Sequence, residues 1–426
     1  CGESGAIGAA LEASRLYNNG KKTTFIGLDE IKNISYKSTT NEDTRCYFCK
    51  NKCLRTFIDV NVDASQLNNE NPKQKINKTE GGKFKSKVPL DIGSKRLIVG
   101  NSCEKGLVED VNDMRVIKKS LDSKLEASPN LVEQSAKEVF KSFTSELVAD
   151  EIPKIALTKK AKQRISKMKG RSSIKIGMPR VLNMYSLTPV FTGYFESLGI
   201  PSKNLIFSDF TTEKLYKEGA KRGSVDPCFP SKLAIPHVHN LLFEKHNKNP
   251  LDIIFFPMID NFPSPLKGTQ GCRACPTVTT TPEAVKAAFT KEGDIFKQKG
   301  IQFFNTFVNI AEKGLFAKQM FAQFQDILGL SINEHKRAIE AGYDALEKYE
   351  NHMNGKARDV LKELENENRF GIVLLGRTYH NDPGINHEIM VEFQKLGYPI
   401  FTQESLPMDQ DILEKLFGEE VENGTI

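Results

Sequence analysis

Apolar and polar positions alternate along the second half of the chain in a pattern that predicts strands followed by helices. The stretch "SIKIGMPRVLNMYSLTPVFTGYFESLGI" has a short apolar run, a turn with Gly177 and Pro179, and a helical periodicity that ends at Gly199. The bounded apolar runs "LDIIFFPMI" (251–259) and "FGIVLLGRTYHND" (370–382) predict two more buried strands. Alternating strands and helices form βαβ units, so we expect an α/β fold with a mostly parallel sheet and ligands at the carboxyl ends of its strands.

Two further segments extend this pattern. "TTPEAVKAAFTKEG" predicts a helix opened by its Pro and Glu, and "INHEIMVEFQKLGYPIFT" predicts a helix, a glycine stop and a strand. The segments "GYFESLGIPSKNLIFSD" and "VEFQKLGYPIFTQES" both predict a helix that ends at Leu-Gly before a strand. This echo indicates two similar α/β halves.

The first half of the chain is more polar, and its composition suggests several segments. Residues 63–95 are rich in Asn, Lys and Gly, which is typical of a solvated loop, and "RLIVG" after them predicts a strand. A chain of 426 residues exceeds what one hydrophobic core usually serves. The expected segments are the close of a preceding domain (1–20), a Cys-rich connector with a polar insertion (21–110), a charged helical linker (111–172), a first α/β half (173–305), and a helical segment with the start of a second α/β half (306–426).

Composition narrows the class of protein. Hydrophobic residues make up 39% of the chain, and no apolar run reaches the roughly 18 to 20 residues of a membrane helix. The start of the chain lacks the order of a signal peptide, so we expect a cytoplasmic protein without a membrane partner. The net charge of +6 is spread over a large surface, and the Lys-rich stretch 154–171 alternates as a solvated helix does, so no nucleic-acid partner is expected.

Three cysteines lie close together in "RCYFCKNKCLRTF". Eight cysteines in an intracellular chain favour metal or redox chemistry over disulfides. Cys46, Cys49 and Cys53 have the spacing C-x2-C-x3-C, and Cys103 in "VGNSCEKG" supplies a fourth thiol. Four cysteines suit either a tetrahedral zinc ion or a [4Fe–4S] cluster. The spacing leaves open a cluster, a zinc ion and unligated thiols.

A second set of cysteines lies in predicted turns. Cys228 follows Pro227 in "VDPCFPSK", whereas Cys272 and Cys275 lie in "GCRACP" next to a proline. Turns at the strand ends of an α/β sheet are where ligands for a cofactor would meet. The alternative is that these are ordinary cysteines in loops.

The histidines give weaker signals. His237 and His239 are two positions apart, so on a helix they cannot face one ligand, and a role in the core is expected for them. His380 and His387 bracket the polar turn "GRTYHNDPGINH" after a strand, where an α/β fold often places function.

Several of these stretches together resemble the large, activase-related members of the 2-hydroxyacyl-CoA dehydratase system. "GESGAIGAALEA" resembles the end of an actin-like ATPase domain, and "TTFIGLDEIKN", "RCYFCKNKCLRTF" and "IVGNSCEKG" resemble the connecting cysteine region. "IGMPRVLNMYSLTPVFTGYFESLGI", "VDPCFPSKLAIPHVHNLL", "CPTVTTTPEAVKAAF" and "GRTYHNDPGINHEI" resemble the dehydratase-like portion. The resemblance implies a Cys-rich connector followed by two doubly wound, mostly parallel, Rossmann-like halves of dehydratase type.

The resemblance also implies a function. In that family an ATPase module passes electrons, with ATP hydrolysis, to a dehydratase-like module whose iron–sulfur cluster reduces an acyl-CoA or another small molecule. By match, Cys228 and Cys275 would be cluster ligands, with Cys272 as a third thiol nearby. The connector set Cys46, Cys49, Cys53 and Cys103 would hold a separate cluster or metal.

The same resemblance implies that the chain is a fragment of a longer protein. The ATPase residues would precede Cys1, and a further cysteine would follow Ile426, so ATP would act only through the ATPase domain that accompanies this segment. That domain and a small-molecule or acyl-CoA substrate are the expected partners, and a homodimer is compatible with the likeness. The alternative function is a non-catalytic interaction protein whose connector is stapled by zinc.

Overall fold

The computed structural model describes residues 4–21, 32, 34–48, 53–61, 88, 90, 94–100, 103–155, 157–222, 227–264 and 272–424. The chain divides into two compact units, Cys1–Ser123 and Lys124–Ile426. In the described ranges, no helix is long and apolar enough to cross a membrane. Most of the polar stretch 63–95 and most of the segment "TTFIGLDEIKN" lie outside the described residues.

The first unit contains a small antiparallel sheet. Its elements are helix α1 (Ser4–Asn18) and the strands β1 (Tyr36–Thr39), β2 (Thr56–Asn61) and β3 (Ser94–Val99), in the order β1-β2-β3. The strand predicted from "RLIVG" is confirmed as β3, which pairs with β2 along its whole length. Phe57 of β2 is fully buried between the guanidinium groups of Arg55 and Arg96, which lie 5.1 and 4.7 Å from its ring centre. Helix α2 (Val111–Glu126) extends across the boundary between the units.

The second unit contains the larger part of the fold. Its helices are α3 (Leu131–Glu138), α4 (Lys159–Gly170), α5 (Met184–Ser197), α6 (Glu213–Gly219), α7 (Phe229–Lys232), α8 (Ala234–Asn240), α9 (His246–Lys248), α10 (Pro276–Thr290), α11 (Ile295–Gln298), α12 (Lys313–Leu328), α13 (Ile332–Asn366), α14 (Ile389–Lys395) and α15 (Gln410–Glu422). A π-helical turn, Leu241–Lys245, joins α8 to α9. Its strands are β4 (Ile176–Met178), β5 (Leu205–Phe207), β6 (Ile253–Phe255), β7 (Met258–Phe262), β8 (Cys272–Arg273), β9 (Gln302–Phe304), β10 (Phe307–Asn309), β11 (Ile372–Leu374) and β12 (Ile400–Thr402).

The central sheet is parallel and has the order β5-β4-β6-β9. Successive strand residues point to opposite faces, so each face of the sheet has its own hydrophobic core. On β6, Ile253 and Phe255 join a core with residues of α5, α12 and α13, while Ile254 joins a second core with residues of α8, α10 and α11. The predicted α/β fold with a parallel sheet is confirmed, with helices on both faces of this sheet.

Two smaller sheets accompany the central one. Strand β7 pairs with β10 in parallel and with β8 in an antiparallel manner. Strands β11 and β12 form a parallel pair, with α14 between them in the sequence. The helix and strand expected in "INHEIMVEFQKLGYPIFT" are thus confirmed, and Gly397 has the positive φ of 93° that lets the chain turn after α14. Gly199 plays the same part after α5, with a φ of 92°.

Two predicted boundaries need correction. The run 251–259 is not one strand, because β6 ends at Phe255 and β7 begins only after Pro257, which has no N–H for a ladder. The helix expected to open at Pro282 begins instead at Pro276, where a proline is favoured in the first turn. Pro282 therefore lies inside α10 rather than at its start.

The Lys-rich helix α4 is largely exposed, as its pattern predicts, but a buried ion pair anchors the turn that follows it. The guanidinium of Arg171 donates to both carboxylate oxygens of Glu334, at 2.6 and 3.0 Å. It also donates to the backbone carbonyls of Leu328 and Leu198, at 2.8 and 3.3 Å. Glu334 opens α13, so this group of hydrogen bonds joins the end of α4 to α5, α12 and α13.

Helices α5 and α13 cross at two glycines. A Cβ on Gly342 would lie 2.6 Å from the carbonyl oxygen of Val190, and a Cβ on Gly193 would lie 2.6 Å from the Cβ of Ala345. Since the nearest atoms to Gly342 belong to backbone, they cannot move aside as a flexible side chain can. The absence of a side chain at these positions sets the separation of the two helices.

We expect Gly342→Ala to lower the free energy of unfolding by about 1–3 kcal/mol, because the added methyl forces the two helices apart. The matched control is Gly355→Ala, in the same helix, where nothing lies within 4 Å of the added Cβ. There the better helix propensity of alanine should stabilise by up to about 1 kcal/mol. Urea unfolding of both variants checks this, and equal effects of the two substitutions would contradict the close crossing.

Candidate functional site

Cys275 lies at the start of helix α10, where backbone N–H groups face its thiol. The extended residue before it is held by a hydrogen bond from the Ala274 N–H to the Asp260 carbonyl, at 2.7 Å. The N–H groups of Val278 and Thr277 donate to the sulfur and lower the pKa of the Cys275 thiol, and the positive charge of Arg377 lowers it further. The side chain is exposed. The position therefore favours the thiolate, which is the form that binds metals.

Cys228 has a similar place at the start of helix α7. Its thiol lies 3.4 Å from the hydroxyl of Ser231, one turn along the helix, and its side chain is exposed. Burial raises the pKa of the Tyr379 hydroxyl, and the nearby thiols of Cys228 and Cys275 raise it further. Tyr379 lies in the short 3-10 helix Thr378–Asn381 after β11. Helix α7, which follows Cys228, contacts helix α10, which follows Cys275.

Cys272 lies in strand β8, opposite Phe262 of β7, with its side chain half-buried. It precedes Cys275 by three residues, so the two thiols belong to one strand-to-helix segment. Among the residues that the structure describes, no group of three or more His, Cys, Asp and Glu side chains is arranged to hold a metal ion. The assignment of the cofactor ligands Cys228, Cys272 and Cys275 stays a prediction.

The described cysteines of the first unit, Cys46, Cys53 and Cys103, lie in two segments outside the strands. The N–H of Cys46 donates to the carbonyl of Cys53 at 2.8 Å, which closes the loop between them. Cys46 is buried, Cys53 is half-buried, and Cys49 lies outside the described residues. Cys103 is exposed at the start of the 3-10 helix Glu104–Leu107, which follows β3.

Arg55 connects these two segments. Its buried guanidinium donates to the carbonyl of Thr44, at 2.9 Å, next to the first cysteine. It also donates to the carbonyls of Gly106 and Val108, at 3.0 and 2.8 Å, just after Cys103. The Arg55 side chain thus fixes the segment with Cys46 and Cys53 to the segment with Cys103. This role could not be predicted from the sequence, because an arginine beside cysteines is more often an exposed charge.

A buried network of hydrogen-bonded polar side chains lies at the carboxyl ends of β4 and β5 and after β11. The carboxylate of Asp382 accepts hydrogen bonds from the hydroxyls of Tyr185 and Thr211, each at 2.6 Å, and from the Gly384 N–H at 2.7 Å. The Thr211 hydroxyl lies 2.9 Å from Nε2 of His237, and Nδ1 of that ring lies 2.8 Å from the Ser208 hydroxyl. All of these side chains are buried.

The direction of the hydrogen bonds in this network follows from its two ends. The Arg180 backbone N–H donates to Ser208, and the hydroxyl of Thr211 donates to Asp382. The Ser208 hydroxyl is then free to donate to Nδ1, and Nε2–H donates to the Thr211 oxygen. His237 is therefore neutral with its proton on Nε2. Burial, with help from the charge of Arg180, lowers the pKa of His237 to about 3.

The histidines predicted from the sequence lie in different surroundings. His237 is fully buried in α8, which confirms the core role expected for it, and the ring of His239 packs on Phe243, 4.5 Å between centres. Nδ1 of His380 lies 2.9 Å from the carbonyl of Arg377. His387 is exposed, with a positive φ of 53°. A functional role for the last two stays a prediction.

We expect the buried His237 to make stability dependent on pH. Below pH 6.5 the His237 ring is protonated in the unfolded chain but stays neutral in the folded chain. The contribution of this ring to the free energy of unfolding is therefore complete above pH 6.5 and declines as the pH falls toward 3. In His237→Gln the slope of unfolding free energy against pH should fall by about 1.4 kcal/mol per pH unit in that window, the value for one proton.

Chemical unfolding at a series of pH values measures this slope. The matched control is His387→Gln, a change at an exposed histidine, which should leave the slope as it is. A His237→Gln protein with the wild-type slope would show that the ring takes up its proton in the folded state.

The fold and these strand-end residues define an α/β protein with candidate ligands and charged groups where its parallel strands end. A family model described as "CoA enzyme activase uncharacterised domain (DUF2229)" matches residues 175–406, more than half of the chain, and the chain belongs to that family. The resemblance to activase-related proteins is thereby confirmed. No curated protein and no solved structure gives a significant match. The matched range includes Cys228, Cys275 and Asp382, and it leaves out the connector cysteines.

Proposed function

We propose that the chain is an iron–sulfur electron-transfer component of an ATP-driven system similar to the 2-hydroxyacyl-CoA dehydratases. It would accept low-potential electrons from an activase ATPase domain and reduce an acyl-CoA or another small molecule. The observation that carries this proposal is the position of Cys228 and Cys275, each at the start of a helix, with these two helices in contact. Membership of a CoA enzyme activase family supports it.

The donor set fits an iron–sulfur cluster. Clusters are held by thiolates, and the backbone N–H groups that lower the pKa of Cys275 also suit the charge of a thiolate ligand. In this proposal Cys228 and Cys275 are ligands. Cys272, which lies on the same strand-to-helix segment as Cys275, is the third candidate ligand. When bound, such a cluster supplies one-electron transfer at a potential tuned by charge, hydrogen bonding and exposure.

The surrounding residues would prepare this place for a charged group. Tyr379 packs against both hydrophobic cores. Arg377 contributes a positive charge near Cys275. Pro227 and Pro276 adjoin the two thiols and restrict the backbone there, which lowers the conformational entropy lost when the ligand loops are ordered.

We propose a separate metal site in the connector, at Cys46, Cys49, Cys53 and Cys103. The loop closed between Cys46 and Cys53 and the Arg55 hydrogen bonds to the Cys103 segment support it. A second cluster is the first candidate. Zinc is the alternative, since structural zinc sites also hold small loops together. With zinc alone, the chain would be a stapled interaction protein.

The test is the iron, sulfide and zinc content of the anaerobically purified chain, together with its visible spectrum. We expect the wild-type chain to contain iron and sulfide. Cys275→Ser and Cys228→Ala should each lose one share of the iron, and Cys49→Ala should lose a different share. Cys272→Ser shows whether the third thiol belongs to the first share. A colourless protein with one zinc, lost only in Cys49→Ala, would contradict the electron-transfer function.

Arg55 should position the connector site without touching a metal. In Arg55→Met the three carbonyls lose their donor, and we expect the connector to lose most of its metal while the Cys228 and Cys275 share stays constant. Arg45→Met is the matched control, since Arg45 adjoins Cys46 but pairs with the exposed Glu42. The metal content of both variants tests this role. Equal metal content in the two would refute a positioning role for Arg55.

A further inference from the structure

The side chain of Arg180 occupies an aromatic cage just after the central strand β4. Its guanidinium carbon lies 4.3 Å from the ring centre of Phe210, 4.8 Å from that of Phe140 and 5.5 Å from that of Phe207. Cation–π contacts of this kind hold the guanidinium plane in one orientation. The arginine is therefore fixed before any partner arrives.

No carboxylate among the described residues forms an ion pair with this arginine. Within the described part of the chain, the guanidinium has no ion pair or hydrogen-bond acceptor, and its Nε atom is buried without one. Asp209 and Asp382 are near enough to raise the pKa of Arg180, although burial lowers it more. An arginine stays protonated all the same, so a largely desolvated positive charge remains.

Both nearby carboxylates are committed to other groups. Asp209 accepts from Asn240, at 3.1 Å, and from the ammonium of Lys245, at 2.5 Å. Asp382 accepts from the hydroxyls of Tyr185 and Thr211. The remaining titratable neighbour, His237, is neutral at physiological pH. Because no described residue accepts from the guanidinium, its terminal N–H groups remain for an anion.

The position in the fold is where ligands of doubly wound sheets bind. In the order β5-β4-β6-β9, the connection after β4 leads to β5 on one side, and the connection after β6 leads to β9 on the other side. The crevice therefore lies between the carboxyl ends of β4 and β6, next to the loop of Arg180. The same short loop contains Leu182 with a positive φ of 52°. Its neighbour Asn183 has a buried amide nitrogen without an acceptor among the described residues. Strain and unmatched donors in one loop are typical of ligand sites.

We propose that Arg180 anchors a binding site for an oxyanion, the carboxylate or phosphate group of a small molecule, at the carboxyl end of β4. The planar guanidinium fork matches two oxygens of such a group. The surrounding rings orient the fork, and the two occupied aspartates limit the size of the negative charge that the site accepts. This site is independent of the cysteines and of the cofactor proposed for them.

The experiment measures thermal stability and calorimetric binding of the purified chain with sodium acetate and with inorganic phosphate, at constant ionic strength set with chloride. We expect saturable binding of one of them to the wild-type chain, and the probe that binds identifies the chemical source of the oxyanion. In Arg180→Gln the affinity for that probe should fall at least about tenfold. The matched control is Arg222→Gln, since Arg222 also lies over two rings, Phe243 and Phe289, but far along the chain from the β4 loop.

A second variant keeps the test decisive if Arg180→Gln does not fold. Arg180→Lys keeps the charge but loses the planar fork, and it should bind the same probe about tenfold more weakly than the wild type. No saturable binding of either probe to the wild-type chain would overturn the proposal. Unchanged affinity in Arg180→Lys or Arg180→Gln, or an equal loss in Arg222→Gln, would overturn it as well. Loss of metal in the cysteine variants would not bear on these outcomes.

Discussion

The carboxylate of Asp382 is the interaction on which the arrangement of the strand-end residues depends. It is buried, and two hydroxyls and one backbone N–H satisfy its oxygens. A buried carboxylate deprived of these donors would cost several kcal/mol, so the segment after β11 is held firmly against α5 and the loop after β5. Tyr379 and Arg377 lie on that segment, a few residues before Asp382. Their place beside Cys275 therefore follows from the hydrogen bonds of one acid.

Loops from several parallel strands contribute to this region. The loop after β4 supplies Arg180, the loop after β5 supplies Thr211, and the segment after β11 supplies Asp382, while Cys228 and Cys275 open two helices. Arg180 and Thr211 follow neighbouring parallel strands of the central sheet, whose carboxyl ends lie at one edge. Asp382 follows β11 of a separate sheet, and its hydrogen bonds to Tyr185 and Thr211 join it to this region.

The elements that depend on local pattern could be predicted from the sequence, and those that depend on distant partners could not. Helix α5 and its glycine stop follow from apolar periodicity and from the αL preference of Gly199. The break between β6 and β7 was missed because Pro257 lies inside an unbroken apolar run. The hydrogen-bond network of Asp382 could not be predicted either. Tyr185 and Asp382 are 197 positions apart, and nothing in the local sequence distinguishes a buried aspartate from one in a turn.

Helix α5 is attached at three levels along its length. Near its start Tyr185 bonds to Asp382, in its middle Gly193 lies against α13, and just beyond its end the Leu198 carbonyl accepts from Arg171. A helix held at both ends and at its centre cannot tilt or slide independently of its neighbours. The loop of Arg180, which leads directly into α5, thus rests on a stiff support, and a ligand that binds there would meet a surface already in its final shape. Little binding energy would be lost to ordering the protein, and fast, reversible exchange of small ligands is the behaviour that such a support favours.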